Sequence, residues 1–268
     1  MRFLLAFALA AAATAQPLQF VTLKEDVLVQ RLHLAHPRNP ERYQRLKKLF
    51  SDGGCSGEVY SEQRVPSSKE PNMICQLAGA PAIPGRIIVG AHFDAVGGEG
   101  VIDNWSGAVL LPTLFECLQR VPRRHQFEFV AFAAEEKGLL GSQAFLKSIP
   151  KSDRKQIAAV IIMDSLGLTP TKCWVHGSSK ELVNAASAVA ASLKLDFSGV
   201  NVDQVGTTDS QPFKDANIPV LCLHSVTQET WKLINGPQDV WKVVSWRDYY
   251  DSYRLITVLL AYLDRTLP

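Results

Sequence analysis

Four apolar runs limit what this chain can fold into: RIIVGAHF (residues 86–93), QFEFVAFAA (126–134), IAAVIIM (157–163) and PVLCL (219–223). Their central residues are almost all Val, Ile, Leu, Phe or Ala. They lack the polar alternation of a strand that faces water on one side. Segments of helical character separate them, at 106–118, 141–149 and 180–193, and another at 249–263 closes the chain. Strands buried on both faces need a helical layer on each. The pattern therefore predicts a three-layer α/β/α sandwich around a mixed, mostly parallel sheet, with an antiparallel edge from 58 to 77. Residues 22–50 read as helical, broken at His36-Pro37 and Asn39-Pro40. Lys172 to His176 reads as a further short strand, and Pro112 is expected to kink the helix that carries it.

The chain's 268 residues suit one α/β domain, and a net charge of +2 gives no basis for a nucleic-acid or polybasic membrane surface. The basic stretch 42–48 reads as a solvated face opposite Tyr43, Leu46 and Phe50. At the N-terminus, Met1-Arg2, an apolar run over 3–13 and Ala13-Thr14-Ala15 form a signal-peptide pattern. We expect residues 1–15 to be removed and 16–268 to form one catalytic domain, secreted or periplasmic, with no membrane association beyond export. Five cysteines show no C-x-x-C spacing. Cys55 and Cys75 flank a hairpin turn near Pro66-Ser67-Ser68 and are placed to bridge two strands. Cys117, Cys173 and Cys222 read as buried thiols. Oligomeric state leaves no trace in the sequence.

Each apolar run delivers a ligand-type side chain at its carboxyl end: His92 with Asp94, Glu135 with Glu136, Asp164, and His224. In open α/β sheets that edge is where ligands bind. Asp103 lies in GEGVIDNWSG, a glycine-bounded loop leading into the helix at 106. Singly, these residues have ordinary explanations. An Asp before a helix is commonly an N-cap, and a Glu pair is commonly solvated. Together they place acids on one edge of one sheet, where they would repel unless cations intervened. Histidine and carboxylate are ligands that zinc accepts. Asp103, Glu136 and Asp164 carry three negative charges, which two Zn²⁺ and a bridging hydroxide would neutralise. Glu135 would be left as a free base.

The pieces AHFD, IDNWSG, AEEKGLLGS, MDS and LHS, in that order between residues 91 and 225, resemble the co-catalytic zinc aminopeptidases, metallopeptidase family twenty-eight. That group includes bacterial leucyl aminopeptidases, glutamate carboxypeptidase II and glutaminyl cyclase. The resemblance implies a zinc-exopeptidase fold and a peptide substrate. It assigns His92 and Asp164 to one zinc, Glu136 and His224 to the other, and Asp103 to both. It makes Glu135 the general base and Asp94 the acid that fixes His92. One motif departs from the family: Thr208-Asp209-Ser210-Gln211-Pro212-Phe213 has Ser210 where many members carry His, which leaves Asp209 at most an outer role. Trp231 and Trp241 are candidates to wall the substrate pocket.

Two other readings make different demands. A glutaminyl cyclase would hold a single zinc on Asp103, Glu136 and His224. An inactive binding module would have lost ligands or base, and none of these residue types is missing here.

Overall fold

The computed structural model describes residues 18–81, 83, 85–203 and 206–268, so the expected signal peptide lies outside the described residues. Two helices come first, α1 (Glu25–Leu32) and α2 (Asn39–Asp52). Pro40 sits in the first turn of α2, where its fixed φ suits the helix and its missing N–H is not needed, so Asn39-Pro40 opens that helix instead of breaking it. Strands β1 (Tyr60–Gln63), β2 (Asn72–Leu77) and β3 (Arg86–His92) follow, then α3 (Ser106–Leu118), which runs unbroken through Pro112. The rest alternates: β4 (Gln126–Phe132), α4 (Leu140–Ser148), β5 (Ile157–Met163), β6 (Lys172–Cys173), α5 (Lys180–Leu193), β7 (Ser198–Gly199), α6 (Gln211–Asp215), β8 (Val220–His224) and α7 (Trp246–Thr266).

One eight-stranded sheet results, in the order β1-β2-β4-β3-β5-β8-β6-β7. Its centre, β4-β3-β5-β8, is parallel. The β1-β2 hairpin joins β4 antiparallel, as expected for the edge, and β6 runs antiparallel to β8. Alternate residues of each central strand feed two apolar layers. Ile87, Val89, Phe129 and Ile161 pack with residues of α1, α2, α3, α5 and α7, whereas Ile88, Val130, Val160 and Ile162 pack with Phe145 of α4 and Phe213 of α6. The five-residue α6 is too short to be stable alone. Phe213 is wholly buried, and burial of such a side chain contributes about 1.5–3 kcal/mol, which anchors the element.

Three further local expectations change. Strand β4 ends at Phe132, and Ala134 takes a left-handed φ of 57°, turning the chain before the Glu pair. Arg42 does not face water: it is fully buried. Cys55 and Cys75 are bridged, with Cα atoms 6.0 Å apart, but Cys55 precedes β1, and the strand partner of Cys75 is Tyr60. The other three cysteines are buried and free.

Candidate metal centre

The parallel strands bring the expected residues to one edge. His92 closes β3 with 1% of its surface exposed. Its Nε2 lies 3.2 Å from Asp103 Oδ1, 3.6 Å from Asp164 Oδ1 and 3.9 Å from Glu135 Oε2. Two overlapping groups, His92/Glu135/Asp164 and His92/Asp103/Glu136, each have ligand atoms within 4.8 Å of one another. Tetrahedral zinc with bonds of about 2.0–2.1 Å separates its ligand atoms by about 3.3 Å. The separations from His92 Nε2 to Asp103 and to Asp164 bracket that value, so His92 is placed to share a zinc ion with either acid.

Local chain geometry aims each group. Asp94 acts mainly on the backbone of the Glu pair: its two carboxylate oxygens accept the amide N–H groups of Glu135 at 3.0 Å and Glu136 at 3.2 Å. The Nδ1 of His92 meets the backbone carbonyl of Asp94 at 3.2 Å, and the Asp94 carboxylate stands 3.7 Å from it. Asp94 thus ties the β3 end to the turn after β4. Asp164 accepts hydroxyl hydrogen bonds from Thr208 at 2.6 Å and Ser165 at 3.0 Å. Ser165 takes a left-handed φ of 55°, and its amide N–H donates to Asn104 Oδ1 at 3.2 Å. Asp103 is fixed through its own backbone, since Asp239 accepts the N–H of Ile102 at 2.6 Å and of Asp103 at 2.9 Å. Beneath this loop the Arg42 guanidinium donates to the carbonyls of Phe93, Glu99 and Gly100 and lies 5.0 Å over the Trp105 ring.

The electrostatics call for a cation. Burial first, then repulsion among the acids, pushes Glu135 up to about 10, Glu136 to about 8 and Asp209 to about 7. Burial disfavours the charged His92 imidazole, but Glu135, Asp103 and Asp164 around it outweigh that and hold its pKa well above the usual value. Glu136 Oε1 and both Asp209 carboxylate oxygens are buried with no hydrogen-bond partner. Carboxylates that must stay protonated or unpaired in the absence of metal are the expected signature of a cation site.

His224 is not drawn into either group. It closes β8 and is 3% exposed, with its Nε2 3.1 Å from the Val200 carbonyl and its Nδ1 accepting the Val226 N–H at 3.2 Å. A neutral imidazole with the proton on Nε2 satisfies both contacts, and burial lowers its pKa accordingly. His224 instead helps line a cavity of about 320 Å³ beside the cluster, with Leu139, Trp174, Val202, Val226 and Ile234. Trp231 and Trp241 do not line it; they are 42% and 43% exposed. Sequence reasoning gave no role to Thr208, Trp174 or Asp239. Thr208 opens the motif that holds Asp209, but no pattern ties Asp239 to a loop 136 residues away.

Comparison with known proteins agrees with this geometry. The chain is 30% identical over 142 residues to aminopeptidase YwaD of Bacillus subtilis, covering 50% of this chain and 31% of that protein. It is 30% identical over 140 residues to a probable leucine aminopeptidase of Arthroderma otae, covering 47% and 37%. The match thus spans about a third of each relative's length. Among solved structures, the LapA aminopeptidase of Legionella pneumophila superposes with a TM-score of 0.78 at 17% identity, over 91% of this chain and 73% of that one. The glutaminyl cyclase of an Acidobacteriales bacterium superposes with 0.75 at 16% identity, over 94% and 99%. At these identities the superpositions speak for the fold alone. The model of peptidase family M28 matches residues 72–260, most of the chain, and the chain belongs to that family.

Proposed function

We propose that the chain is a zinc-dependent exopeptidase, an aminopeptidase that removes N-terminal residues from peptides. The observation that carries this reading is the convergence of one imidazole and four carboxylates on one wall of a cavity in a family M28 chain. Relatives at 30% identity are named aminopeptidases. His92, Asp103 and Asp164 would hold the metal, with Glu136 beside them. Bound zinc supplies a Lewis acid and lowers the pKa of water. Glu135, its Oε2 facing the cluster, serves as the base that takes the proton of the attacking water and returns it to the leaving amine. Asp94 holds the Glu135 amide, and so the carboxylate, in place. Thr208 and Ser165 fix the rotamer of Asp164. Leu139, Val202 and Val226 offer an apolar wall to a substrate side chain.

Export belongs to the same reading. The N-terminal signal pattern and the Cys55–Cys75 bridge both suit an oxidising compartment. No helix among the described residues is long and apolar enough to cross a membrane. N-terminal sequencing of the exported protein should begin at Gln16.

Aminoacyl-chromophore substrates and their N-blocked counterparts test the activity, each assayed before chelation, after it and after zinc is restored. Release from the free-amine substrates alone, abolished by chelation and recovered with zinc, is expected. Cleavage of blocked substrates, or activity indifferent to chelation, would overturn it. Pyroglutamate formed from N-terminal Gln peptides without release of amino acids would assign the chain to the cyclase reading instead.

A further inference from the structure

We infer that this centre holds one zinc ion per chain, on His92, Asp103 and Asp164, and that the position beside Glu136 takes no second zinc. The inference rests on the metal-centre reading above and sharpens it. Zinc is a borderline-soft ion that binds nitrogen or sulfur well, whereas sites made only of carboxylate and carbonyl oxygens suit harder cations. A pair of zinc ions therefore calls for a nitrogen donor at each position.

The centre has one. His92 turns Nδ1 to the Asp94 carbonyl, and only Nε2 faces the acids. Nε2 has a single lone pair and so binds a single ion. Both ligand groups at this edge use His92, which makes them overlapping placements around one nitrogen, not two independent sites. The chain has six histidines. His125 bonds to Asp264 at the opposite end of β4, and His176 pairs with Asp203. His33 packs between the rings of Trp241 and Trp246, and His36 accepts the Arg38 amide N–H. That leaves His224, whose two nitrogens are both committed to backbone groups. Turning that ring toward the acids would strip partners from the Val226 N–H and the Val200 carbonyl. Of the other cavity-lining residues, Asn235 carries an amide nitrogen that is no lone-pair donor, and Ile234 offers nothing. The Cys222 thiol lines the cavity but stands outside both groups. The same commitment of His224 removes one of the three ligands that a single-zinc cyclase centre would need.

The test is metal stoichiometry, independent of turnover. The full chain is saturated with zinc, freed of unbound metal by gel filtration, and measured by elemental analysis and by native mass spectrometry. One zinc per chain is expected in the wild type, in His224→Gln and in Glu136→Gln, and none in His92→Gln. Two zinc ions per wild-type chain would overturn the inference while leaving the metal centre intact. None in the wild type would overturn the metal-centre reading itself. Loss of zinc in a folded His224→Gln, with its far-ultraviolet circular dichroism unchanged, would restore His224 as a ligand and overturn the inference. The wild-type count decides the matter even where a variant fails to fold.

Discussion

In the proposed reading the adjacent carboxylates at 135 and 136 take different roles: a single acid, Asp94, accepts both of their amide N–H groups, and the two side chains fall in different ligand groups. Replacing Glu135 with Gln keeps the side chain's size and removes its basicity. Turnover should fall by about 10²–10⁴-fold, the usual cost of losing a general base, with zinc content unchanged and KM much less affected. Measuring kcat, KM and bound zinc on one preparation checks this; loss of metal along with turnover would make Glu135 a ligand. Asp94→Ala should act through position. The Glu135 and Glu136 amides lose their acceptor, and His92 loses a neighbouring carboxylate. Zinc affinity or activity should drop by about 10–100-fold, as is typical when a ligand's supporting partner is removed. An equilibrium titration against a chelator of known affinity reads this directly. At this scale the identities of the acids were legible from their places at the ends of apolar runs. Their directions were not, because those depend on the left-handed Ala134 and Ser165, and neither residue type announces such a turn.

Among the elements, the sheet edge is the most exposed to test. The Cys55–Cys75 bridge closes a loop of 20 residues between the end of α2 and strand β2. A loop of that size restrains the unfolded chain enough to contribute about 3 kcal/mol. The Cys55→Ala/Cys75→Ala pair should lower the stability to urea by about that amount, with the slope of the transition used to detect changes in the unfolded state. Mass mapping of the unreduced protein should recover the two residues in one linked peptide. Most elements lay where periodicity put them: β5, α3 and α5 have the expected bounds. The failures are short. Strand β7, of two residues, and α6, of five, lack a periodic signature and exist because the sheet and Phe213 hold them. Arg42 was misread for a related reason. Basic residues on an amphipathic helix normally face water, and it is chiefly the loop carrying Asp103, with the His36 carbonyl, that supplies the acceptors that make its burial tolerable.

In the whole molecule, the centre depends on contacts between segments far apart in sequence. Asp239, in the loop after β8, holds the amides of Ile102 and Asp103. Gly98 lets that loop approach: a Cβ there would lie 2.3 Å from the Gly236 carbonyl. Asp239→Ala should leave two amides without partners, at a cost of about 1–3 kcal/mol each, and should weaken zinc binding by loosening Asp103. Thermal melts with and without zinc separate the two effects. The metal-free protein should also lose stability as pH rises. Glu135, Glu136 and Asp209, at about 10, 8 and 7 in the folded state, retain protons there that the unfolded chain has already released. The folded state then binds more protons than the unfolded one, so stability falls from about pH 5 toward pH 10. His92, also raised, adds to the loss above its ordinary value. Bound zinc replaces those protons and should flatten the profile. Melts of chelated and zinc-loaded protein between about pH 5.5 and about pH 9 check this; an unchanged melting temperature in the chelated series would contradict it.

The sequence by itself determined the layered α/β architecture, because fully apolar strands can be buried only between helices, and that architecture in turn fixed the sheet edge where His92, Glu135, Glu136 and Asp164 meet. It also supplied the cysteine pair around the hairpin. Only the tertiary structure decided which nitrogen donors reach the acids. His92 and His224 stand in like places, each the last residue of a parallel strand, and nothing local distinguishes them. They part because Val200 and Val226 claim both nitrogens of His224, whereas the Asp94 carbonyl takes one nitrogen of His92 and leaves the other facing the carboxylates. Hydrogen bonds of that kind come from loops brought together by the fold, so they follow from chain topology and not from residue spacing.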